Sequence, residues 1–226
     1  MTSDELHDLF RKDVVDTARP YLWSDEEVYA YMNDAYYMFV RLVGGIPDYL
    51  SDVCQLTAAE GERNGEISQK ILLVRTATLE DTGDEVKVIN AQDVSTLSDI
   101  DYGILRHLNS TTTIGKVRYI VIGMQPGLVE WVAIPDRDYS VRLLVERLPL
   151  VDITDGGQEL VDVPSHHHIH LLKWMRSLAY NKQDAETFNK IKAAEDAAAF
   201  TSYCDFVRRE KDRAKHKVRV VRYGGI

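Results

Sequence analysis

The chain has 226 residues, 45% of them hydrophobic and 28% charged, with a formal net charge of −9. That composition is globular, with length for one large domain or two small ones, and no 18-residue apolar run is present to suggest a transmembrane helix. The opening MTSDELHDLFRKD lacks the basic start and apolar middle of a secretory signal. Cys54 and Cys204 are too few for a disulfide framework and have no metal-type spacing. Synthesis inside a cell is therefore expected, and the Asn109-Ser110-Thr111 sequon carries no weight.

In chain order, residues 4–18 place Leu6, Leu9, Phe10, Val14 and Ala18 at helical spacing, and Pro20 closes the segment. Ser24-Asp25-Glu26-Glu27 is a capping box, in which the serine hydroxyl meets the third amide and Glu27 reaches back. Val28, Met32, Ala35, Phe39 and Leu42 then form one apolar stripe that ends at Gly44-Gly45 and Pro47. Two antiparallel helices with a short link are the expected opening unit.

Residues 67–148 change character, with β-branched residues and period-two runs in ILLVRTATL (71–79) and YSVRLLVERL (139–148). Segments 116–123, 127–135 and 138–148 predict a three-stranded meander, with turns in GMQPG and PDRD. Strands at 71–79 and 85–90 are expected to join the same sheet. Residues 99–107 read as a short helix or a loop, and DITDGGQ at 152–158 reads as a connecting loop.

Helical pattern resumes at Pro164 and runs to about Tyr180; Asp184 is the expected cap of a second helix reaching about Ala214. That second helix divides its apolar residues between two stripes, Phe188–Ile191–Ala198 and Phe200–Cys204–Val207, the pattern of a helix with more than one neighbour. The closing KVRVVRYGGI alternates like a strand but is too short to form a sheet alone. The expected fold class is thus α+β. Helical pairs at 1–45 and 164–215 make a four-helix-bundle-like core, 46–163 form a β-rich sandwich or meander insertion, and 216–226 an extended arm.

Charge is uneven along the chain. Residues 1–60 carry 12 acidic and 4 basic side chains, whereas 208–222 carry 8 basic and 2 acidic ones. An acidic body with a basic terminal arm suits an arm that meets nucleic acid or an acidic protein surface. The plainer alternative is a solvated helix end, where cations complement the helix dipole.

Little points to catalysis. Neither G-x-x-x-x-G-K-[ST] nor G-x-G-x-x-G nor G-x-S-x-G occurs. The histidine-rich PSHHHIH at 164–170 invites a metal reading, but helix geometry disperses the rings. With His166 at zero, His167 lies at about 100°, His168 at about 200° and His170 at about 40°. The apolar face of Leu171, Leu172, Met175, Leu178 and Ala179 centres near ~180°, so His168 points inward and His167, His170 and Trp174 form a flanking stripe. Only His166 and His170 have ligand spacing, with no adjacent carboxylate or cysteine to complete a site. No metal, cofactor or catalytic residue is expected, and the flanking stripe is a candidate protein contact.

Three stretches, RPYLWSDEEVYAYMNDAYYMFVRLVGG (19–45), HLLKWMRSLAYNKQDAETFN (170–189) and VRYGGI at the end, resemble the head-to-tail adaptor (connector) proteins of short-tailed bacteriophages. The match covers both helical pairs and the tail, and the middle only as a β-rich insertion. One histidine near the second pair's start is usual in that family; His168 is its counterpart, while His166 and His167 depart from the pattern. The resemblance implies a virion structural protein at the head–tail junction, made in the host cytoplasm, with no enzymatic activity and no membrane association. It implies a twelve-copy ring under the portal protein that extends the DNA channel and offers a platform to the tail nozzle or tube. Genomic DNA would pass through the lumen without sequence-specific binding.

On this reading the portal-binding arm comprises Lys217, Val218, Arg219, Val220, Val221, Arg222, Tyr223, Gly224, Gly225 and Ile226, preceded by Arg208, Arg209 and Arg213. Alternation suits strand addition to a partner edge. His167, His170 and Trp174 are the candidate subunit-interface residues. The alternative function is a nucleic-acid-binding protein that uses the same basic arm, against which the acidic body and the single tail aromatic, Tyr223, argue.

Overall fold

The computed structural model describes residues 1–92, 113–183 and 187–215. The chain is mixed α+β and divides into two compact units, Met1–Gly44 with Pro149–Ile226, and Gly45–Leu148. Residues 149–163, which the sequence places in the insertion, group with the helices.

The described part of the first unit holds four helices: α1 (Ser3–Asp13), α2 (Asp25–Leu42), α3 (Ser165–Asn181) and α4 (Lys190–Lys215). Both early helices start with complete capping boxes, Thr2 with Glu5 and Ser24 with Glu27. The first is written in the sequence as T-x-x-E but escapes a reading that looks only for apolar spacing.

Helix α1 ends at Asp13, short of the expected Ala18. Asp16 N–H bonds to Arg11 C=O at 2.9 Å and Val15 N–H to Lys12 C=O at 3.3 Å, the pair of bonds that closes a Schellman turn. The left-handed position is held by Val15 at φ 60°, a β-branched residue where glycine is the usual choice. Asp16 then accepts from buried Arg11 at 2.7 Å and from the Leu22 amide at 2.9 Å, fixing the link into α2.

Helix α2 buries Val28, Met32, Ala35, Tyr36, Phe39 and Val40, and α3 buries His168, Leu171, Leu172, Met175 and Ala179. Arg176 of α3 ties three helices at once. It bonds to Asp13 at the end of α1 and, through Nε at 3.1 Å and through Nη2, to Asp196 of α4. The Asp196 carboxylate foremost, then Asp13, raises its already high pKa further against the effect of burial. The 149–163 connector is strapped to α2. Asn33 donates to Ile153 C=O at 2.8 Å and accepts from Ile153 N–H at 2.6 Å, while Tyr36 Oη accepts from Asp162 N–H at 3.0 Å.

The expected cap Asp184 lies outside the described residues. Helix α4 begins at Lys190, with Asn189 Oδ1 accepting from the Lys192 amide at 3.1 Å.

The second unit is a large curled sheet. Its strands are β1 (Ile46–Asp48), β2 (Gln55–Ala58), β3 (Asn64–Glu66), β4 (Ile71–Leu79), β5 (Glu85–Asn90), β7 (Tyr119–Gln125), β8 (Leu128–Trp131) and β10 (Tyr139–Arg147). The short β6 (Ile114–Gly115) and β9 (Ile134–Pro135) pair separately. The order is β1–β10–β4–β5–β7–β8–β3, with β2 also on β10. The inward side chains, including Leu56, Leu79, Ile120, Trp131, Val141 and Leu143, form one core cluster.

The expected meander is corrected here. Strands β7 and β8 do form a hairpin, but β10 does not follow β8 in the sheet; it runs centrally, antiparallel to β4 on one side and to β1 and β2 on the other. The physical reason is that no residue of β10 is exposed, and even Glu146 and Arg147 are buried. A strand of that kind needs neighbours on both edges. The two buried charges are met by Arg75, 2.7 Å from Glu146, and by Asp48, which bonds Arg147. Gly45 makes the close approach possible: at φ 89°, a Cβ there would lie 2.9 Å from Glu146 Cβ.

Candidate functional site

The sequence-predicted residues that the structure describes lie on α3 and α4. His168 is 2% exposed, and its Nε2 faces the Val163 carbonyl at 2.6 Å, an acceptor only, so Nε2 carries the proton and donates. Burial above all lowers its pKa, partly opposed by that carbonyl. It clips the connector to α3 and is a structural histidine.

His167, His170 and Trp174 are half-buried among helices of their own chain. His167 Nδ1 pairs with Tyr203 Oη of α4 at 2.8 Å, and its ring meets Phe39 of α2 at 5.1 Å between centroids. His170 stacks on Tyr203 at 3.5 Å. Trp174 packs on Phe200 at 5.2 Å and donates to Asp34 of α2 at 2.6 Å. Burial first, then the neighbouring histidines, push His167 down to about 4, and burial with Lys173 lowers His170. At neutral pH both rings are uncharged and act as part of an aromatic seam between α3 and α4. No group of three or more metal-ligating side chains is gathered among the described residues; the polar partners just named occupy one ring nitrogen each of His167 and His168.

Helix α4 has two unlike faces. Phe200, Cys204 and Val207 are buried, and burial drives the Cys204 thiol up to about 12, an inert group. The stripe Phe188–Ile191–Ala198 is open: Phe188 is 51% and Ile191 73% exposed, and Ala198 is exposed. Phe206, 55% exposed, extends this open side toward the basic end. The sequence marks both stripes as apolar but does not say which one the chain itself covers.

Arg208, Arg209 and Arg213 are exposed near the end of α4, and Lys211 reaches back to Val43 C=O at 3.4 Å. The cations sit at the negative end of the helix dipole, interleaved with Glu210 and Asp212. Lys217 to Ile226 lie outside the described residues. The hollow beside His168 is lined by the 159–165 connector and the start of α1, and the arrangement buries its thiol, Cys204. Its uncovered apolar stripe and basic end are chemistry for protein contact.

No curated protein sequence matches the chain. A family model described as SU10 adaptor protein matches residues 1–221, both helical segments and the sheet together. The chain therefore belongs to the SU10 adaptor family and is a phage head-to-tail adaptor.

Proposed function

We propose that this adaptor is one subunit of a twelve-membered ring seated beneath the portal, where it prolongs the DNA channel and presents the platform on which the tail is built. The observation that carries this reading is the double face of α4. One stripe is buried in its own chain; the other leaves Ile191 and Phe206 more than half exposed, with Phe188 likewise exposed just before the helix. A closed ring uses a different patch on each flank of every subunit, and an uncovered apolar helix face is suited to be one of them.

In this assembly α1 to α4 serve as a helical-bundle core. His167, His170 and Trp174 support the subunit contact by seating α4 through Tyr203 and Phe200, with their own uncovered edges beside it. Residues 217–226, led by Arg208, Arg209 and Arg213, form the arm that docks on the portal, their alternating pattern adding a strand to a partner edge. The net charge of −9 suits a conduit whose wall repels phosphate. The role is structural, with no catalysis, no cofactor and no membrane.

The test is to mix the full chain with its cognate portal and image the product. Twelve copies on the portal are expected, and a chain lacking 217–226 should not join. If the truncated chain docks as well as the full one, the arm assignment is wrong. If the full chain instead binds duplex DNA with an affinity that falls steeply with salt, the basic end is a nucleic-acid arm and the portal role is lost.

A further inference from the structure

The chain passes between its two units twice, at Gly44–Gly45 and at Leu148–Pro149. The passages are neighbours, because Ile46 and Arg147, each one step inside the sheet unit, pair across β1 and β10. On each passage the bonds mark where one unit stops holding the backbone and the other begins. On the first, the helical unit holds the chain as far as Gly44. Val43 N–H bonds to Phe39 C=O at 3.0 Å and Gly44 N–H to Arg41 C=O at 3.3 Å, while Val43 C=O accepts from Lys211 of α4 at 3.4 Å. The sheet unit takes over at Gly45, which lies so near β10 that a Cβ there would be 2.9 Å from Glu146 Cβ.

The two glycines sit at φ 86° and 89°, a region other residues hold poorly. Their surroundings differ. A Cβ at Gly44 would meet nothing within 4 Å, so only its backbone conformation calls for glycine. The second passage is tighter. Leu148 N–H bonds to Lys70 C=O at 2.8 Å, and Leu148 C=O accepts from Arg147 Nη1 at 3.1 Å, both within the sheet unit. The very next carbonyl, that of Pro149, accepts from Tyr37 Oη of α2 at 3.2 Å. The handover is complete within one peptide unit, and the proline ring fixes φ there. One passage is therefore stiff and the other permissive.

We propose that these adjoining passages form a hinge about which the helical and sheet units of one chain turn as two bodies. Leu148–Pro149 is the pin, and Gly44–Gly45 is the strand that gives. Hinges concentrate their rotation in a few residues at the ends of elements, and here α2 ends at Leu42, β1 begins at Ile46 and β10 ends at Arg147. Turning leaves the packing of the sheet unit intact, since its main core cluster draws every buried member from residues 54–145. It also leaves the bonds named above in place, because each lies within a single unit. The device lets one unit follow a bound partner while the other keeps its own contacts. It is a property of the single chain and stands apart from the ring reading.

The experiment measures distances between nitroxide labels by double electron–electron resonance on the free, full-length chain. Glu26→Cys with Glu66→Cys spans the two units. Glu26→Cys with Ser202→Cys stays within the helical unit, and Glu66→Cys with Glu85→Cys within the sheet unit; all four positions are exposed. The native thiols Cys54 and Cys204 are fully buried and do not take label. The spanning distribution is expected to be at least twofold broader than either within-unit distribution, and one equally narrow overturns the hinge. Gly44→Ala in the spanning pair locates the pivot. On a hinge, alanine moves to a negative φ, so the mean spanning distance shifts and the thermal midpoint stays. A fixed distance with a lowered midpoint would show that the units hold one another and force alanine to keep the glycine conformation, and that also overturns the proposal.

Discussion

The two faces of α4 make opposite predictions for the same kind of substitution. Ile191→Ser and Phe206→Ser remove apolar surface that is 73% and 55% exposed in the single chain. Surface changes of this type alter stability by about 0.5 kcal/mol or less, so the free subunit should unfold at its normal temperature. In the proposed ring a neighbour would cover the same side chains. Full burial of such a residue is worth about 1.5–3 kcal/mol, and the still-exposed share of each gives roughly 1–2 kcal/mol. The double variant therefore loses about 2–4 kcal/mol at every joint, roughly a 30- to 700-fold weaker subunit contact. Phe200→Ser, on the buried stripe at 0% exposure, should instead cost about 3–5 kcal/mol of folding stability by emptying a core position. Thermal unfolding of the free chain and sedimentation of the portal complex separate the two outcomes. A double variant that assembles on the portal at the wild-type concentration refutes α4 as the joint, and one that unfolds early refutes the claim that this face is uncovered.

Three further outcomes follow from the helical unit. Val15→Gly relieves a β-branched residue from the left-handed position at φ 60°, and should stabilise the chain by about 1 kcal/mol after glycine's greater unfolded-state entropy is subtracted. An increase of about 2–4 °C in the melting temperature is expected for a protein of this size, and no increase would show that the turn after α1 is relaxed. Arg176→Met leaves Asp13 and Asp196 without their shared cation in a partly buried place, and should cost about 2 kcal/mol in chemical denaturation; a neutral result would reduce the clamp to a surface pair. The third concerns acid. His167 titrates at about 4 in the folded chain against about 6.5 when unfolded, so between these values the unfolded state binds more protons and stability rises with pH. Its contribution is complete above pH ~6.5 and is lost as pH falls toward 4, amounting to at most about 3 kcal/mol. His167→Gln should flatten the denaturation midpoint across that window, and an unchanged slope would assign the acid response to other groups.

Local chemistry explains which elements were legible in the sequence. Strands β4 and β5 have the expected bounds, because alternation and turn residues act within a few positions of each other. Strands β1, β2 and β3 have sequences IPD, QLTA and NGE, with no β signature of their own. They are strands because β10 and β8 offer open edges to them, which is tertiary information. The end of α1 was hidden for the opposite reason. Val15 is the wrong residue type for its position, so the local signal pointed onward to Ala18. Where a residue breaks its local rule, the surrounding bonds decide, here those of Arg11 and Asp16.

The same distinction governs the candidate site. Helical angles alone send His168 inward and set His167, His170 and Trp174 on one flank, and the structure places them so. Angles cannot name what lies across a flank, and what lies there is α2 and α4 of the same chain. A flank whose rings are stacked and half-buried offers a partner the edges that α2 and α4 leave uncovered. Helix α4, packed along one stripe only, keeps its second stripe uncovered. The histidine run therefore marks how α4 is seated, and the surface it leaves facing outward is the one that the proposed ring assigns to a second subunit.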